Sequence, residues 1–459
     1  MKPESLYSEI KAAFQIDGTD IETSSFSTVG EGALPSWFRV TDLAATSIGV
    51  AGAMLARAIA LKTDDPLPVV VDRRLASFWF RRSLHPLGWK LSPIWDSIAG
   101  NYKTEDGWIR LHTNARHHRD AALTVLKRSG ERDAVANAVE RWEAETLETA
   151  IVEAGGCAAK LRSLKDWATH PQGSAVASEP LIIWDEHEAS AKSPTRNAGT
   201  TPLQGLRILD LTRVLAGPIA TRFLAGFGAD VLRLDPPDWE ELAIVPETTL
   251  GKRCAGLDLR DHNDRQTFEK LLATADVLVH GYRPGALESL GFDQSTRRVI
   301  NPGLIDVSLN AYGWSGPWSG RRGFDSLVQM SSGIADFGMK QSADDQPVPL
   351  PVQALDHATG YLLAAAVLHG LARRRQGTVF SARLSLARTA HLLAAEPNTA
   401  LDDGLSSHCD NDLDPNVEQT AWGAARRIRF PMTVGGLTPN WRYPARPLRS
   451  SRAAWAEHI

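Results

Sequence analysis

The stretch LRILDLTRVLAGPIATRFLAGFGADVLRLD, from Leu206 to Asp235, decides the fold class. Its first six residues form a short apolar run with branched side chains, which is typical of a buried parallel strand. The loop TRVLAGP comes next, then a short helix over IATRFLAGFGA that ends at Gly228, and then a second strand, DVLRLD. The stretch is therefore one strand–helix–strand unit, whose crossover we expect to be right-handed.

The same alternation recurs further along the chain. HNDRQTFEKLLATA is predicted to be a helix, and DVLVHG and GLIDVSL are predicted to be strands. Strands that alternate with helices indicate the α/β class, with an open and mostly parallel sheet. Ligands of such sheets bind beyond the carboxyl ends of the strands.

A small, polar segment, HEASAKSPTRNAGTTP, divides the chain and is predicted to be a linker over residues 187–202. It separates a first part, residues 1–186, from a second part, residues 203–459. In the first part, IWDSIAGNYKTEDGWIRLH is predicted to be a hairpin that turns at Asp106-Gly107. Helical stretches follow around RDAALTVLKRSG and AVERWEAETLETAIVEAGG. The first part therefore has the pattern of a smaller α+β domain.

The composition indicates an ordinary globular protein rather than a nucleic-acid-binding one. Of the 459 residues, 43% are hydrophobic and 23% are charged, and the net charge is −4 without a basic surplus. No run reaches the length expected for a membrane span, and no signal peptide is evident at the start. The three cysteines (Cys157, Cys254 and Cys409) have neither disulfide nor metal spacing, so we predict packing or surface roles and a cytoplasmic location.

Two segments of the chain resemble each other. VTDLAATSIGVAGAMLARAIAL from Val40 and ALDHATGYLLAAAVLHGLARR from Ala354 each have an aspartate, small residues and an apolar helix. Each precedes a run predicted to be rich in β structure, PVVVDRRLASFWF in one and TVFSARLSLARTA in the other. A weak internal repeat and a chance similarity between two Ala-rich helices both explain this pattern.

Asp356 stands where a proline-rich extended segment, PVPLP, gives way to the second of these helices. Asp is a preferred N-cap residue, so helix capping is one interpretation. A catalytic role is the other, and the two are compatible. A carboxylate at a helix N-terminus is expected to stay ionised, and such a group can attack an activated acyl carbon.

Other candidate residues are basic or lie in loops. TRVLAGP from Thr212 could present backbone N–H groups to a phosphate, or it could be an ordinary tight turn. Lys252, Arg253 and Arg260 could form a phosphate-binding patch, or they could be solvated charges. Tyr282 and Arg283 follow a strand, where a ligand is expected, although a Pro-Gly turn also explains them. The histidines of HTNARHH and of DEHE are predicted to be surface features, and no metal site is expected.

Five blocks together resemble the class III coenzyme A transferase family, which includes formyl-CoA transferase. They are LQGLRILDLTRVLAGPIATRFLAGFGADVLRLDPP, GKRCAGLDLR, ADVLVHGYRPGALESLGF, NPGLIDVSLNAYGWSGPWSGRRGFDSLVQMSSGIA and LDHATGYLLAAAVLHGLARR. They occur in the family's order over about residues 203–390. The resemblance implies a Rossmann-like large domain and an enzyme whose substrates are acyl-CoA and a carboxylic acid, without a permanent cofactor or metal.

The resemblance also implies roles for individual residues. Asp356 matches the nucleophile that forms a mixed anhydride and then an aspartyl-CoA thioester, with backbone N–H groups stabilising the oxyanions. The positions that match CoA contacts are Leu215, Ala216, Leu257, Asp258, Leu259, Arg260, Gly281, Tyr282, Arg283, Arg322, Gly323, Phe324 and Asp325. The family forms interlocked dimers, so a homodimer is expected, with neither nucleic acid nor membrane as a partner.

The chain also departs from the family pattern. Pro236 and Ser289 occupy positions that are basic in the family, and no glycine-rich loop like that of formyl-CoA transferase is found. Segments resembling the small domain precede the large one, so Val40 onward would be a vestige of the large-domain helix and Asp42 a counterpart of Asp356. A CoA transferase is the first hypothesis. An acyl-CoA racemase is less favoured because Phe324 replaces the expected histidine, and a non-catalytic CoA-ester-binding protein is the third hypothesis.

Overall fold

The computed structural model describes residues 4–14, 26–63, 67–188, 200–402, 404–405 and 407–456. Its strands are β1 (Phe26–Val29), β2 (Val69–Asp72), β3 (Leu84–Pro86), β4 (Gly100–Lys103), β5 (Trp108–Leu111), β6 (Ala158–Lys160), β7 (Ile183–Glu188), β8 (Arg207–Leu211), β9 (Asp230–Asp235), β10 (Arg253–Gly256), β11 (Val277–His280), β12 (Ile305–Asn310), β13 (Thr378–Ser385), β14 (Glu418–Thr420), β15 (Gly423–Arg427) and β16 (Met432–Val434).

The helices are α1 (Glu4–Ala12), α2 (Val40–Thr63), α3 (Arg73–Arg81), α4 (Arg116–Leu126), α5 (Arg132–Val139), α6 (Ala144–Glu153), α7 (Leu164–Thr169), α8 (Pro171–Ser178), α9 (Ala216–Gly226), α10 (Val245–Thr248), α11 (His262–Leu272), α12 (Gln294–Ile300), α13 (Asp325–Ser331), α14 (Ile334–Ser342), α15 (Ala354–Arg374) and α16 (Leu386–Ala394).

The main sheet has seven strands in the order β10-β9-β8-β11-β12-β13-β7. The first six are mutually parallel, and β7 pairs antiparallel with β13. The predicted α/β class, the first strand–helix–strand unit and the mostly parallel sheet are therefore confirmed.

Helices cover both faces of this sheet. Ile208, Val231 and Val277 face the larger core, which contains α9 and α15. Leu209, Leu232 and Leu278, one residue further along each strand, face a second core with Phe268 of α11. The near-continuous apolar runs that predicted these strands reflect this burial on both faces.

The predicted α+β unit is formed by the antiparallel sheet β4-β5-β6 and the helices α4 to α6. The hairpin between β4 and β5 turns where Asp106-Gly107 was predicted to turn, and Gly107 has a φ of 159°. The linker prediction began two residues early, because β7 runs through Glu188 and joins the main sheet. The rest of that predicted linker up to residue 199 lies outside the described residues, and the division into domains stays a prediction.

The two resembling segments have the same order of elements. One is α2, β2 and α3, and the other is α15, β13 and α16. The β-rich prediction is wrong for the second half of the first run, where Asp72 caps α3 by accepting from Leu75 N at 3.0 Å. It is also wrong for the end of the second run, where α16 begins at Leu386.

Helix α2 corrects the prediction that no run is long enough to span a membrane. By length and composition, Val40–Ala60 passes that test, yet 78% of the window is buried inside the protein. It packs against α15, and both helices are rich in alanine, which lets helix backbones approach closely. This burial is what a core helix requires.

Candidate active site

Asp356 is the third residue of α15, and the N-cap of that helix is Gln353. Within the described residues, its carboxyl group accepts no hydrogen bond from the helix, so the capping interpretation is wrong. The side chain is buried, with 8% of the residue exposed. A buried carboxyl group without a capping role requires another explanation.

A second carboxyl group, that of Asp325, lies beside Asp356. Asp325 is fully buried at the start of α13, and its Oδ2 accepts from the backbone N of Asp356 at 3.0 Å. Asp325 also accepts from Gln329 Nε2, and the Oε1 atom of Gln329 accepts from Leu350 N at 2.7 Å. These bonds fix the start of α15 to the start of α13 and hold the two carboxyl groups together.

The pKa values of this pair contradict the expectation of a readily ionised Asp356. Burial, followed by the charge of Asp325, raises the pKa of Asp356 well above its ordinary value. Burial also raises the pKa of Asp325, while hydrogen bonds from Asp356 N and Gln329 and the charge of Arg110 oppose it, leaving about 6. Desolvation and like charge thus outweigh the helix N-terminus.

Asp42 provides a comparison within the same chain. It is the third residue of α2, as Asp356 is of α15. Its carboxylate accepts from Arg39 Nε at 2.9 Å and pairs with Arg73. Two guanidinium groups therefore compensate Asp42, whereas Asp356 has a carboxyl group for a neighbour. The same residue at the same helical position is in an ion pair in one helix and in a carboxyl pair in the other.

The small α+β unit supplies residues that the sequence analysis missed. Trp108 and Arg110 of β5 and the following His112 alternate with Ile109 and Leu111, which lie in that unit's core. The outward residues face the start of α13, where the charge of Arg110 acts on Asp325 and the His112 ring stacks on Phe324 with centroids 3.8 Å apart. The period-two pattern in WIRLH was the signal that could have identified them.

The prediction that the histidines of HTNARHH are surface features is wrong for two of them. His112 is 5% exposed and His118 is 2% exposed, because this segment is covered where the small unit meets Phe324. Burial lowers the pKa of His112 well below its usual value and that of His118 to about 3. Both rings are therefore neutral at physiological pH.

The predicted first-loop contacts lie close to the carboxyl pair. Leu215 is the N-cap of α9 and Ala216 is its first residue. A Cβ atom on Gly360, one turn after Asp356, would lie 2.5 Å from the carbonyl oxygen of Ala216. Val214 has a φ of 62°, which is unfavourable for a β-branched residue. Close packing of α9 on α15 thus brings this loop to the start of α15.

The other predicted loops share the carboxyl edge of the parallel sheet. Gly281, Tyr282 and Arg283 follow β11 and are exposed or half-buried, whereas the segment 257–260 follows β10. The side chains of Leu257 and Leu259 lie in the second core, so only the backbone or the polar residues of that segment can meet a ligand.

The predicted basic patch of Lys252, Arg253 and Arg260 does not form. Lys252 is fully buried, with Nζ 2.9 Å from Asp210, because it compensates a buried carboxylate beneath α9. Arg253 begins β10 and pairs with Asp230, whereas Arg260 follows the other end of that strand and pairs with Asp258. Opposite ends of one strand cannot form a single patch.

Three other arginines lie near the carboxyl edge. The Arg213 guanidinium lies 6.0 Å from the Tyr282 ring and 5.5 Å from the Trp239 ring. Arg283 and Arg322 are close enough that burial and the charge of Arg322 lower the pKa of Arg283. Arg322 also donates to Gly155 O of the small unit at 3.1 Å. This edge can therefore accept an extended anionic ligand between the sheet and the small unit.

The cysteines have the structural roles that the sequence predicted. Cys157 and Cys254 are buried and Cys409 is exposed, and all three are free. Burial raises the pKa of both buried thiols to about 12, so neither is an activated nucleophile. Across the described ranges, no three His, Cys, Asp or Glu side chains converge as metal ligands do.

Comparison with known proteins identifies the family of this chain. The family model described as CoA-transferase family III matches residues 203–416. The chain is 33% identical to a succinate–glutarate CoA-transferase of Agrobacterium fabrum over 54% of this chain and 70% of that protein. It is 35% identical to an acetyl-coenzyme A transferase of Hypoxylon pulicicidum over 44% of this chain and 34% of that protein.

A third relative is a probable fatty acyl-CoA transferase of Mycobacterium tuberculosis, which is 34% identical over 40% of this chain and 50% of its own length. The chain thus spans a third to a half of the length of these last two relatives, and more of the Agrobacterium protein. The family match begins at residue 203, so it covers the main sheet from β8 onward but not the small unit. The chain belongs to CoA-transferase family III.

Proposed function

We propose that this protein transfers CoA between carboxylic acids through a covalent intermediate on Asp356. The observation that carries the proposal is the buried Asp356–Asp325 carboxyl pair beside the first loop of the sheet. The names of the relatives support an acyl-CoA and a carboxylic acid as substrates.

The environment of Asp356 suits nucleophilic attack on a thioester. Its ionised carboxylate is poorly solvated and lies beside a second negative charge, so it is a high-energy nucleophile. Attack on the acyl carbon expels the CoA thiolate and leaves a neutral mixed anhydride. Acylation therefore removes the charge on Asp356 and the repulsion from Asp325, which favours the covalent step.

The remaining steps exchange the acid on the CoA. The thiolate attacks the Asp356 carbonyl of the anhydride and releases the donor acid, which leaves an aspartyl-CoA thioester. The acceptor carboxylate then displaces the thiolate to form a second anhydride. The thiolate attacks the acceptor carbonyl of this anhydride, which forms the acceptor acyl-CoA and releases the Asp356 carboxylate. We propose that backbone N–H groups at the start of α9 stabilise the oxyanions and that Arg213, Arg283 and Arg322 hold the CoA phosphates.

Intact-protein mass spectrometry tests the covalent step. The protein is incubated with a panel of acyl-CoA esters, trapped with hydroxylamine or borohydride, and digested. A modified peptide that contains Asp356 is expected, and the responding ester identifies a donor. Measurable binding of CoA esters without any adduct would instead support a non-catalytic CoA-ester-binding protein.

Asp325→Asn tests the electrostatic role of the second carboxyl group. The negative charge of Asp325 raises the pKa of Asp356, so its removal should lower that pKa. The rising limb of the pH profile for adduct formation is expected to move to lower pH. The control is Asp336→Asn, which changes a different buried acid that lies in α14. A rising limb at unchanged pH would contradict the electrostatic coupling of the two carboxyl groups.

An acyl-CoA racemase is a second candidate because the neutral His112 ring lies against Phe324, where the expected histidine is missing. A neutral imidazole can accept an α-proton from an acyl-CoA. Incorporation of deuterium from D2O at the α-carbon, lost in His112→Gln, would distinguish racemisation from transfer.

The assembly and location are also proposals. We propose a homodimer in the cytoplasm, with neither nucleic acid nor membrane as a partner. The net charge of −4 supports the exclusion of nucleic acid.

A further inference from the structure

Polar side chains form an ordered cluster on the α12 side of the main sheet. Leu278, Asp306 and Ser381 are register neighbours on β11, β12 and β13. His280, Ser308 and Arg383 form the next row on the same face, because they lie two residues further along each strand. The sheet face that is apolar at Leu209, Leu232 and Leu278 thus becomes polar toward β13.

Most of the side chains in this cluster are buried. The exposed fractions are 7% for His280, 6% for Asp306, 5% for Ser308 and 4% for Ser381. Strands of a parallel sheet normally bury apolar side chains on both faces, and burial of polar groups costs free energy unless they are paired. The cluster therefore requires a binding partner that supplies the missing polar interactions.

A cavity of about 230 Å³ adjoins these residues. Its lining includes His280, Ser308 and Arg383 from the sheet, Gln294 from α12, and Tyr282 and Trp314 from loops. Asp356 and Asp325 do not line it, so it is separate from the candidate active site. It touches the predicted CoA loop through Tyr282 and Arg283.

Positive side chains are in excess around the cavity, because three arginines and two acids line it: Arg283, Arg297, Arg383, Glu288 and Asp306. Arg297 donates Nε (2.8 Å) and Nη2 (2.6 Å) to Asp306 Oδ2, and His280 Nε2 lies 3.4 Å from Asp306 Oδ1. These partners outweigh the effect of burial and hold the pKa of Asp306 at about 2, so its charge is compensated within the cluster.

Two nitrogen atoms remain available. Within the described part of the chain, His280 Nδ1 and Arg383 Nε are buried without a hydrogen-bond partner, as is the acceptor Asp306 Oδ1. Arg383 Nη2 lies 3.2 Å from Asp185 of β7, which orients the guanidinium group. The Arg383 Nε–H suits an oxygen acceptor, and His280 Nδ1 can donate or accept.

We propose that this cavity binds a small oxyanion, a carboxylate or phosphate group, through His280, Arg383 and the Ser308 hydroxyl. The site goes beyond the proposed function, which places acyl transfer at Asp356. Its position next to the loop of Tyr282 and Arg283 allows the anion and CoA to be bound at the same time.

Calorimetric titration of the full-length protein with inorganic phosphate, and separately with acetate, tests the proposal. Saturable binding of at least one ion is expected in the presence of saturating CoA. Preference for phosphate identifies a phosphoryl ligand, and preference for acetate identifies a carboxylate. Displacement of both ions by CoA would overturn the proposal, because the ions would then occupy the phosphate contacts of the coenzyme. Absence of saturable binding would also overturn it.

Variants on two different strands locate the ion. His280→Gln and Arg383→Gln are each expected to weaken binding about tenfold or more, because each removes a polar group that lines the cavity. The control is His262→Gln, which changes an exposed histidine of α11 and should leave the affinity unchanged. Thermal melts establish that each variant is folded. Unchanged affinity in both cavity variants would overturn the assignment, whatever the affinity of the unaltered protein.

Discussion

Replacing Asp356 by Asn is expected to reduce CoA transfer by at least about 10³-fold, because loss of a covalent nucleophile removes the whole two-step route. Asp42→Asn is the matched control, since Asp42 occupies the same position in the repeated helix but is paired with Arg39 and Arg73. Its turnover per folded molecule should stay within about twofold of the unaltered protein. Steady-state transfer between an acyl-CoA donor and an acceptor acid measures both.

The stability of Asp356→Asn separates a catalytic loss from misfolding. The folded-state pKa of Asp356 is raised, so the stability that its protonated form contributes is complete below the unfolded pKa. That contribution is lost as the pH rises through the folded-state pKa. The Asn variant, which carries no charge, should therefore be at least as stable as the unaltered protein at pH 8.

Two results would contradict the assignment of Asp356. Transfer that persists in the Asn variant would exclude it as the nucleophile. An equal loss of transfer activity in a fully folded Asp42→Asn variant would also contradict it. Such a loss would show that activity depends on the packed helices α2 and α15 rather than on the Asp356 carboxylate alone.

Glu247→Gln is expected to destabilise the protein by about 3–5 kcal/mol, because it removes the carboxylate from a buried charge network. Glu247 accepts from Ser83 Oγ at 2.5 Å and pairs with Arg222 of α9 and Arg427 of β15. Only 2% of the Arg222 side chain is exposed, so the variant leaves its charge poorly compensated. Chemical denaturation, compared with the exposed-site control Glu269→Gln, measures the change.

The effect of Glu247 should depend on pH in a defined direction. Burial by itself raises the pKa of Glu247, but Arg222 and Arg427 outweigh burial and hold it at about 2, below the ordinary 4.5. The stabilisation is therefore complete above the unfolded pKa and is lost as the pH falls toward 2. The gap between variant and unaltered protein should be full at pH 7 and shrink below pH 4.5. A gap that stays constant down to pH 2.5 would contradict the charge-network explanation.

The candidate site was only partly predictable from the sequence. The start of α15 could be read because a proline-rich segment precedes an apolar helix, and the family resemblance singled out Asp356. The neighbouring carboxyl group could not be read from pattern, because Asp325 and Asp356 are 31 residues apart and meet through a backbone hydrogen bond. Burial, followed by the charge of Asp325, reversed the expected direction of the Asp356 pKa.

The basic residues also show which contacts could not be predicted from the sequence. Lys252, Arg253 and Arg260 are close in sequence and were predicted to act together, yet one strand carries them to separate surroundings. Arg283 and Arg322 are far apart in sequence, yet they are close enough in space for the charge of one to lower the pKa of the other. Proximity along the chain was a poor guide to proximity in space.

The sequence by itself determined the α/β class, the strands and helices of the main sheet, and the identity of the residue at the start of α15. These depend on local periodicity and turn residues, which one segment carries alone. Only the tertiary structure decided which charges are compensated, because burial and ion pairing depend on side chains brought together from distant segments. Asp42 and Asp356 are each the third residue of an Ala-rich helix, and their different partners give one an ion pair and the other the candidate active site.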